Sequence, residues 1–125
     1  MNPAALPYLF QEEIYNVPEK VLVILAKEWH TYAPEERALL SKILASVRLS
    51  PDSAQVIVQT RLSLASLPFY NPAKVLVFGA ANDEVKPYEA ILVQNFRLVW
   101  ADDLNQLDDA KKKNLWLALK TMFGL

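Results

Sequence analysis

Short runs rich in branched apolar residues constrain this chain more than any other feature. Val21–Leu25 (VLVIL) and Lys74–Phe78 (KVLVF) are apolar at nearly every position, and Val56–Val58 reads as a further short strand between them. A strand with one wet face alternates polar and apolar residues, whereas an unbroken run suits a strand covered on both faces, as in a parallel sheet. Helical patterns separate the runs. Pro34, Glu35 and Glu36 read as a helix start, because proline is pre-set for the first turn and carboxylates favour the positive end of the helix dipole. Leu39, Leu40, Ile43, Leu44 and Val47 then recur at helical spacing as one apolar stripe. Ser50-Pro51-Asp52 stops that helix. Ser63 is placed to cap a brief helix through Leu67, with Pro68 as its stop, and Asn71-Pro72 is a turn. The order β, α, β, α, β predicts an α/β fold with a mostly parallel sheet and helices on its faces.

Downstream, residues 80–89 read as a polar loop ending near Pro87. Ala90–Val93 and Phe96–Trp100 suggest a hairpin around Gln94-Asn95, although no glycine marks the turn. Asp108 or Asp109 caps a final helix reaching about Phe123, in which Leu115, Trp116, Leu119, Met122 and Phe123 bury one face. Residues 1–19 form a separate apolar arm punctuated by Pro3, Pro7 and Pro18, with a short helical turn over residues 8–15, and residues 20–125 form a single α/β domain. A length of 125 residues is that of one domain.

Composition enters as a set of exclusions. With no Cys, one His and two Gly, the chain has no disulfide, thiolate nucleophile, Cys-ligated zinc or two-His metal site, and no glycine-rich phosphate loop. The expectation is that no cofactor or metal is bound. A net charge of −1 gives no global basic field to hold a nucleic acid backbone. No apolar run approaches the ~20 residues of a membrane span. The first ten residues carry no cation and no continuous apolar stretch, so they do not read as a signal peptide, and a cytoplasmic protein is expected.

Ligands of open α/β sheets bind outside the carboxyl ends of the strands. There the sequence collects Lys27–His30, Gly79–Glu84 and Ala101–Asp103. Trp29, His30, Gly79, Asn82, Asp83 and Asp102 make a possible ligand cleft, in which His30 with Asp83 or Asp102 would run acid–base chemistry. The plainer reading is a set of polar loop residues over a sheet edge, with no catalytic residue. Lys111, Lys112 and Lys113 oppose the dipole of the last helix and read either as a phosphate- or acid-binding patch or as a solvated face. Trp29, Trp100 and Trp116 read as core or sheet-edge aromatics. The arm has two readings: it packs back over the domain, or it enters a partner's groove with Leu9, Phe10 and Ile14 as anchors.

Pro87, the strand pair around Asn95, Ala101-Asp102-Asp103-Leu104, Leu107, Asp108, Lys112 and Leu115-Trp116 together resemble the closing pattern of a bacterial family, the psi subunit of the DNA polymerase III holoenzyme. Val21–Leu25 and Lys74–Gly79 sit where that family places its first and later strands. The resemblance implies a three-layer α/β/α sandwich of the uracil-DNA-glycosylase type, here with four to five strands, without the activity. After Gly79 the chain reads Ala80-Ala81-Asn82-Asp83 in place of the glycosylase Gln-Asp-Pro-Tyr-His signature. The resemblance further implies a non-enzymatic adaptor. Its N-terminal segment would dock on clamp-loader subunits, and its body would bind a chi-like subunit that contacts single-stranded-DNA-binding protein. The matching segment is Leu9–Val17, with Ile14 and Tyr15 at the family's apolar–aromatic pair; the family's arm tends to be basic, whereas this one carries Glu12 and Glu13 and no cation before Lys20. Two rival readings are a glycosylase-like or nucleotide-binding enzyme using His30 with loop carboxylates, and a self-associating structural protein.

Overall fold

The computed structural model describes residues 20–49 and 54–124; the arm, with Leu9, Phe10, Ile14 and Tyr15, lies outside the described residues. Five strands form one sheet: β1 (Val21–Leu25), β2 (Ala54–Val58), β3 (Lys74–Phe78), β4 (Ile91–Val93) and β5 (Phe96–Ala101). Their order is β2-β1-β3-β5-β4. The first four in that order are parallel, and β4 closes the edge antiparallel to β5. The chain is thus of the α/β class, with a mostly parallel sheet. All five residues of β1 are buried, as the unbroken run VLVIL requires, since β1 has a strand on each side and side chains on each face.

Register divides the core in two. Val23, Leu76 and Val99 pair in one row across β1, β3 and β5, and Leu25, Phe78 and Ala101 pair in the next. These side chains share one face with Leu40 and Leu44 of α1 (Pro34–Ser46) and with Leu115, Leu119 and Met122 of α2 (Asp109–Phe123). Leu22, Ile24, Val75, Val77 and Leu98 point the other way, against Leu62, Leu67 and Phe96. Both α-helices therefore cover one face. Across the sheet, the cover comes from the 3-10 helix Leu64–Tyr70, which buries Leu67, and from loops. Burying a leucine or phenylalanine on either face is worth roughly 1.5–3 kcal/mol.

The helix ends follow from local chemistry. At α1, Pro34 occupies the first turn, and the Glu36 carboxylate accepts from the Ala33 N–H at 2.9 Å. At its other end Leu49 N–H reaches back to Leu44 C=O at 2.9 Å, with Arg48 in the left-handed region at φ 67°. This is the closure that a glycine normally makes. At α2, Asp108 Oδ1 accepts from Lys111 N–H at 2.8 Å, and Gly124 at φ 71° ends the helix. The hairpin forms with Gln94, at φ 52°, taking the strained turn position.

One expected cap is replaced. Ser63 makes no side-chain cap, and Pro68 lies inside the 3-10 helix rather than stopping it. Gln59 does the capping: its Oε1 accepts from Ser63 N–H at 3.2 Å, and its Nε2 donates to Ser66 Oγ at 3.0 Å. A proline lacks only its own N–H, so the sparse 3-10 ladder tolerates it where an α-helix would not.

Candidate functional site

The carboxyl ends of β1, β3 and β5 present the three expected segments at one edge of the sheet, but the polar groups there are already engaged. Gly79 takes φ 81°, and its N–H donates to Ala101 C=O at 2.9 Å. A Cβ on Gly79 would lie 2.7 Å from Asp103 Cβ, so the loops after β3 and β5 are pressed together where a ligand would otherwise approach. Asp103 Oδ1 accepts from the Tyr32 hydroxyl at 2.8 Å and from Leu104 N–H at 2.8 Å. Tyr32 is buried. Burial first, and then its bond to the Asp103 carboxylate, pushes its hydroxyl well above the ordinary phenol range.

Asp102 is held in the same way. The Tyr88 hydroxyl donates to Asp102 Oδ2 at 2.5 Å and accepts from Asp102 N–H at 3.2 Å. Burial, followed by the Asp102 hydrogen bond, pushes Tyr88 up to about 12. Lys111 Nζ stands 3.5 Å from the same carboxylate oxygen, tying the first turn of α2 to the end of β5. Of the three first-turn lysines, Lys111 is therefore a structural ion pair, whereas Lys112 and Lys113 make no ion pair among the described residues.

Strand order reverses between β1 and β3, and a crevice should open outside their carboxyl ends. The backbone crosses that position. Gln59 N–H donates to Leu25 C=O at 2.9 Å, Ala81 N–H to Thr60 C=O at 2.8 Å, and Leu62 N–H to Ala81 C=O at 2.8 Å. Residues 59–62 thus run over the end of β1 and pair with the loop after β3. Arg61 and Asp83 reinforce the crossing with an exposed ion pair of 3.0 Å. Trp100 Nε1 donates to Ala80 C=O at 2.8 Å. Asn82 staples its own loop: Oδ1 accepts from Glu84 and Val85 N–H at 2.7 and 2.9 Å, and Nδ2 donates to Val85 C=O at 2.8 Å.

Of the six cleft residues, Gly79, Asn82, Asp83 and Asp102 thus stand at the expected edge, each engaged in holding a loop. Trp29 and His30 lie on an exposed 3-10 turn, Trp29–Thr31. His30 makes no hydrogen bond or ion pair among the described residues, so nothing orients it as a base. Among the described residues there is also no group of three or more His, Cys, Asp or Glu side chains able to hold a metal ion.

The apolar recesses lie along the helical face. One runs between α1 and α2, floored by Leu39, Ile43, Leu115 and Leu119, with Trp116 in its wall and Lys42 and Lys112 on its rim. Trp116 is 38% exposed and Leu117 50%. A second lies outside α1, where Trp29, Leu40 and Leu44 meet Val56 and Val58 of β2. β2 is the outer strand, and its two valines on the helical face are 42% and 39% exposed. Sequence reasoning missed both recesses. The available signal was the width of the apolar stripes: Leu39 and Ile43 lie beside the Leu40–Leu44 row, and Trp116 and Leu117 lie outside the Leu115–Leu119–Met122 row.

The strand ends are thus tied off, and the apolar recesses lie between α1 and α2 and between α1 and β2. The model of the DNA polymerase III psi subunit family matches residues 2–121, and the chain belongs to that family. Membership assigns it an accessory role in DNA polymerase III and hence in DNA replication. Neither a curated protein nor a solved structure matches the chain. Among the described residues, no helix is long and apolar enough to cross a membrane.

Proposed function

We propose that this protein is a non-enzymatic adaptor in the bacterial clamp-loader assembly, acting in the cytoplasm through protein–protein contacts alone. The arm residues Leu9, Phe10, Ile14 and Tyr15 anchor it to a clamp-loader subunit, and the folded body engages a chi-like subunit. The observation that carries the non-enzymatic reading is the engagement of Asp102 and Asp103 by Tyr88 and Tyr32. A general acid or base needs a free lone pair or proton facing its substrate, and here the carboxylates already hold loops. Net charge of −1 supports protein rather than nucleic acid contacts.

The test is a binding titration of the full chain against a purified clamp loader from a bacterium encoding a protein of this family. Wild-type protein is expected to bind. Phe10→Ala combined with Ile14→Ala should abolish binding while leaving the domain folded, as judged by circular dichroism and a cooperative unfolding transition. Loss of the cooperative transition in that variant would place the arm in the core instead, and absence of binding by a well-folded wild type would refute the adaptor reading. A uracil-excision assay on single-stranded DNA is expected to show no activity, and activity lost in His30→Ala would overturn it.

A further inference from the structure

The groove between α1 and α2 has the dimensions, charge and location of a seat for part of this chain itself. Its lining repeats at Leu39, Ile43 and Ser46 on α1 and at Lys112, Leu115/Trp116 and Leu119 on α2, a spacing of i, i+4, i+7 on one wall and i, i+3/i+4, i+7 on the other. Each wall spans about 10 Å at the helical rise of about 1.5 Å per residue. The arm holds one matching stripe: Phe10, Ile14 and Val17, again at i, i+4, i+7, ended by Pro18, before which helices stop.

Connection and charge agree with that match. Lys20 C=O accepts from Ala73 N–H at 2.8 Å, and the adjoining Lys74 ammonium lies 5.1 Å from the ring centroid of Phe123. Residue 20 therefore leaves the sheet beside the last turn of α2, at the lower mouth of the groove. From there a helix running back through Val17, Ile14 and Phe10 would ascend the groove from Ser46 and Leu119 towards Leu39 and Lys112. Lys42 and Lys112 on the rim make no ion pair among the described residues, and the arm's charges before Lys20 are Glu12, Glu13 and Glu19, all acidic. Glu35 and Glu36 lie at the upper mouth, towards Leu104 and Leu107, where the ascending arm is uncharged before Glu12.

We propose that the arm docks in cis in the α1/α2 groove, with Phe10, Ile14 and Val17 on its apolar floor and Glu13, one helical step to the side of that stripe, at the lysine-bearing rim. This goes beyond partner binding and does not depend on it. It makes the groove and any external partner of Phe10 and Ile14 competitors for the same side chains.

The chain has no cysteine, so disulfide trapping in the full-length protein tests the contact cleanly. Val17→Cys with Ser46→Cys is compared with Val17→Cys and Gln55→Cys. Gln55 pairs with Leu22 on β1 and so lies near the arm's exit, but its side chain points to the opposite face. Every altered position is exposed or in the arm, and circular dichroism checks the fold of each variant. The 17–46 pair is expected to close within monomers at least about tenfold faster than the 17–55 pair, as high local concentration requires. Lys42→Glu with Lys112→Glu should slow it by about twofold, the scale of one exposed ion pair. Adding Glu13→Lys should restore the rate, and adding Glu12→Lys, on the opposite helix face, should not. Equal rates for the two pairs would overturn the proposal. So would closure only between molecules, which would make a second copy the occupant, and so would indifference to charge reversal.

Discussion

The two ends of interest in this molecule contrast in what they leave unsatisfied. At the carboxyl edge of the sheet, Asp102, Asp103, Asn82 and Asp83 are engaged by Tyr88, Tyr32, loop N–H groups and Arg61. In the groove between the helices, Trp116 is partly exposed and Lys42 and Lys112 lack ion-pair partners among the described residues. The edge that normally carries chemistry in such folds is here a fastening, and the surface that normally only closes a core is here the open one. Substitutions at the edge should therefore cost stability, and substitutions in the groove should cost contacts.

The strongest way to break that contrast is Gly79→Ala. The new Cβ meets the Asp103 side chain and backbone at 2.7 to 3.0 Å, in a backbone conformation at φ 81°. A loss of about 2–4 kcal/mol is expected in urea unfolding, from strain plus overpacking. A loss below about 1 kcal/mol would mean that the two loops separate easily and that the edge is not a fastening.

Tyr32→Phe ranks next. It strips one of the partners of Asp103 and should cost about 1–2 kcal/mol. The same phenols set an alkaline limit. Their pKa values are raised in the fold, so their contribution is complete below the unfolded phenol value of about 10 and fades as pH rises from there. For Tyr88 the loss runs up to about 12. Wild-type stability should fall across that window, with phenolate absorbance rising alongside unfolding, and the slope should shrink in Tyr32→Phe combined with Tyr88→Phe. A slope unchanged in the double variant would remove the phenols as its cause.

Lys42→Ala with Lys112→Ala should change stability by no more than about 0.5 kcal/mol, as exposed lysines do, and a larger loss would make the groove part of the core. The smallest effect is reserved for His30→Ala. An exposed side chain with no hydrogen bond to orient it should be neutral in unfolding within about 0.5 kcal/mol, and a larger change would show that it holds the turn at Trp29–Thr31.

The strands and helices were legible because burial writes itself into residue type. VLVIL and KVLVF can be stable only where both faces are covered, and Pro34-Glu35-Glu36 has few uses except to open a helix. The hairpin was legible from the two apolar runs flanking Gln94-Asn95, even though Gln94 rather than a glycine adopts the positive φ. The candidate site was legible only as a location. Composition could place Asp102 and Asp103 at a strand end, but their partners Tyr88 and Tyr32 lie 14 and 71 residues away, and no local pattern encodes such a pairing. The groove escaped notice for a related reason. Leu39, Ile43 and Trp116 read as extra width on two separate stripes, and only the packing of α1 beside α2 joins them. Gln59 was hidden because it caps a helix from four residues away through its side chain, outside the usual Ser or Asp pattern.

The crossing of residues 59–62 over the end of β1 bears on any attempt to redesign this scaffold. Residue swaps at the strand ends, however many, would leave a wall of main chain standing over the space a base or nucleotide would need. Opening it means giving up the pairing of Thr60 and Leu62 with Ala81 and finding a new path for the connection that leads into the Leu64–Tyr70 turn. Side-chain libraries explore chemistry cheaply, but they do not reroute a backbone. For an engineer, this is a scaffold whose helical face can be rewritten residue by residue, while its sheet edge can be changed only by rebuilding the chain's route.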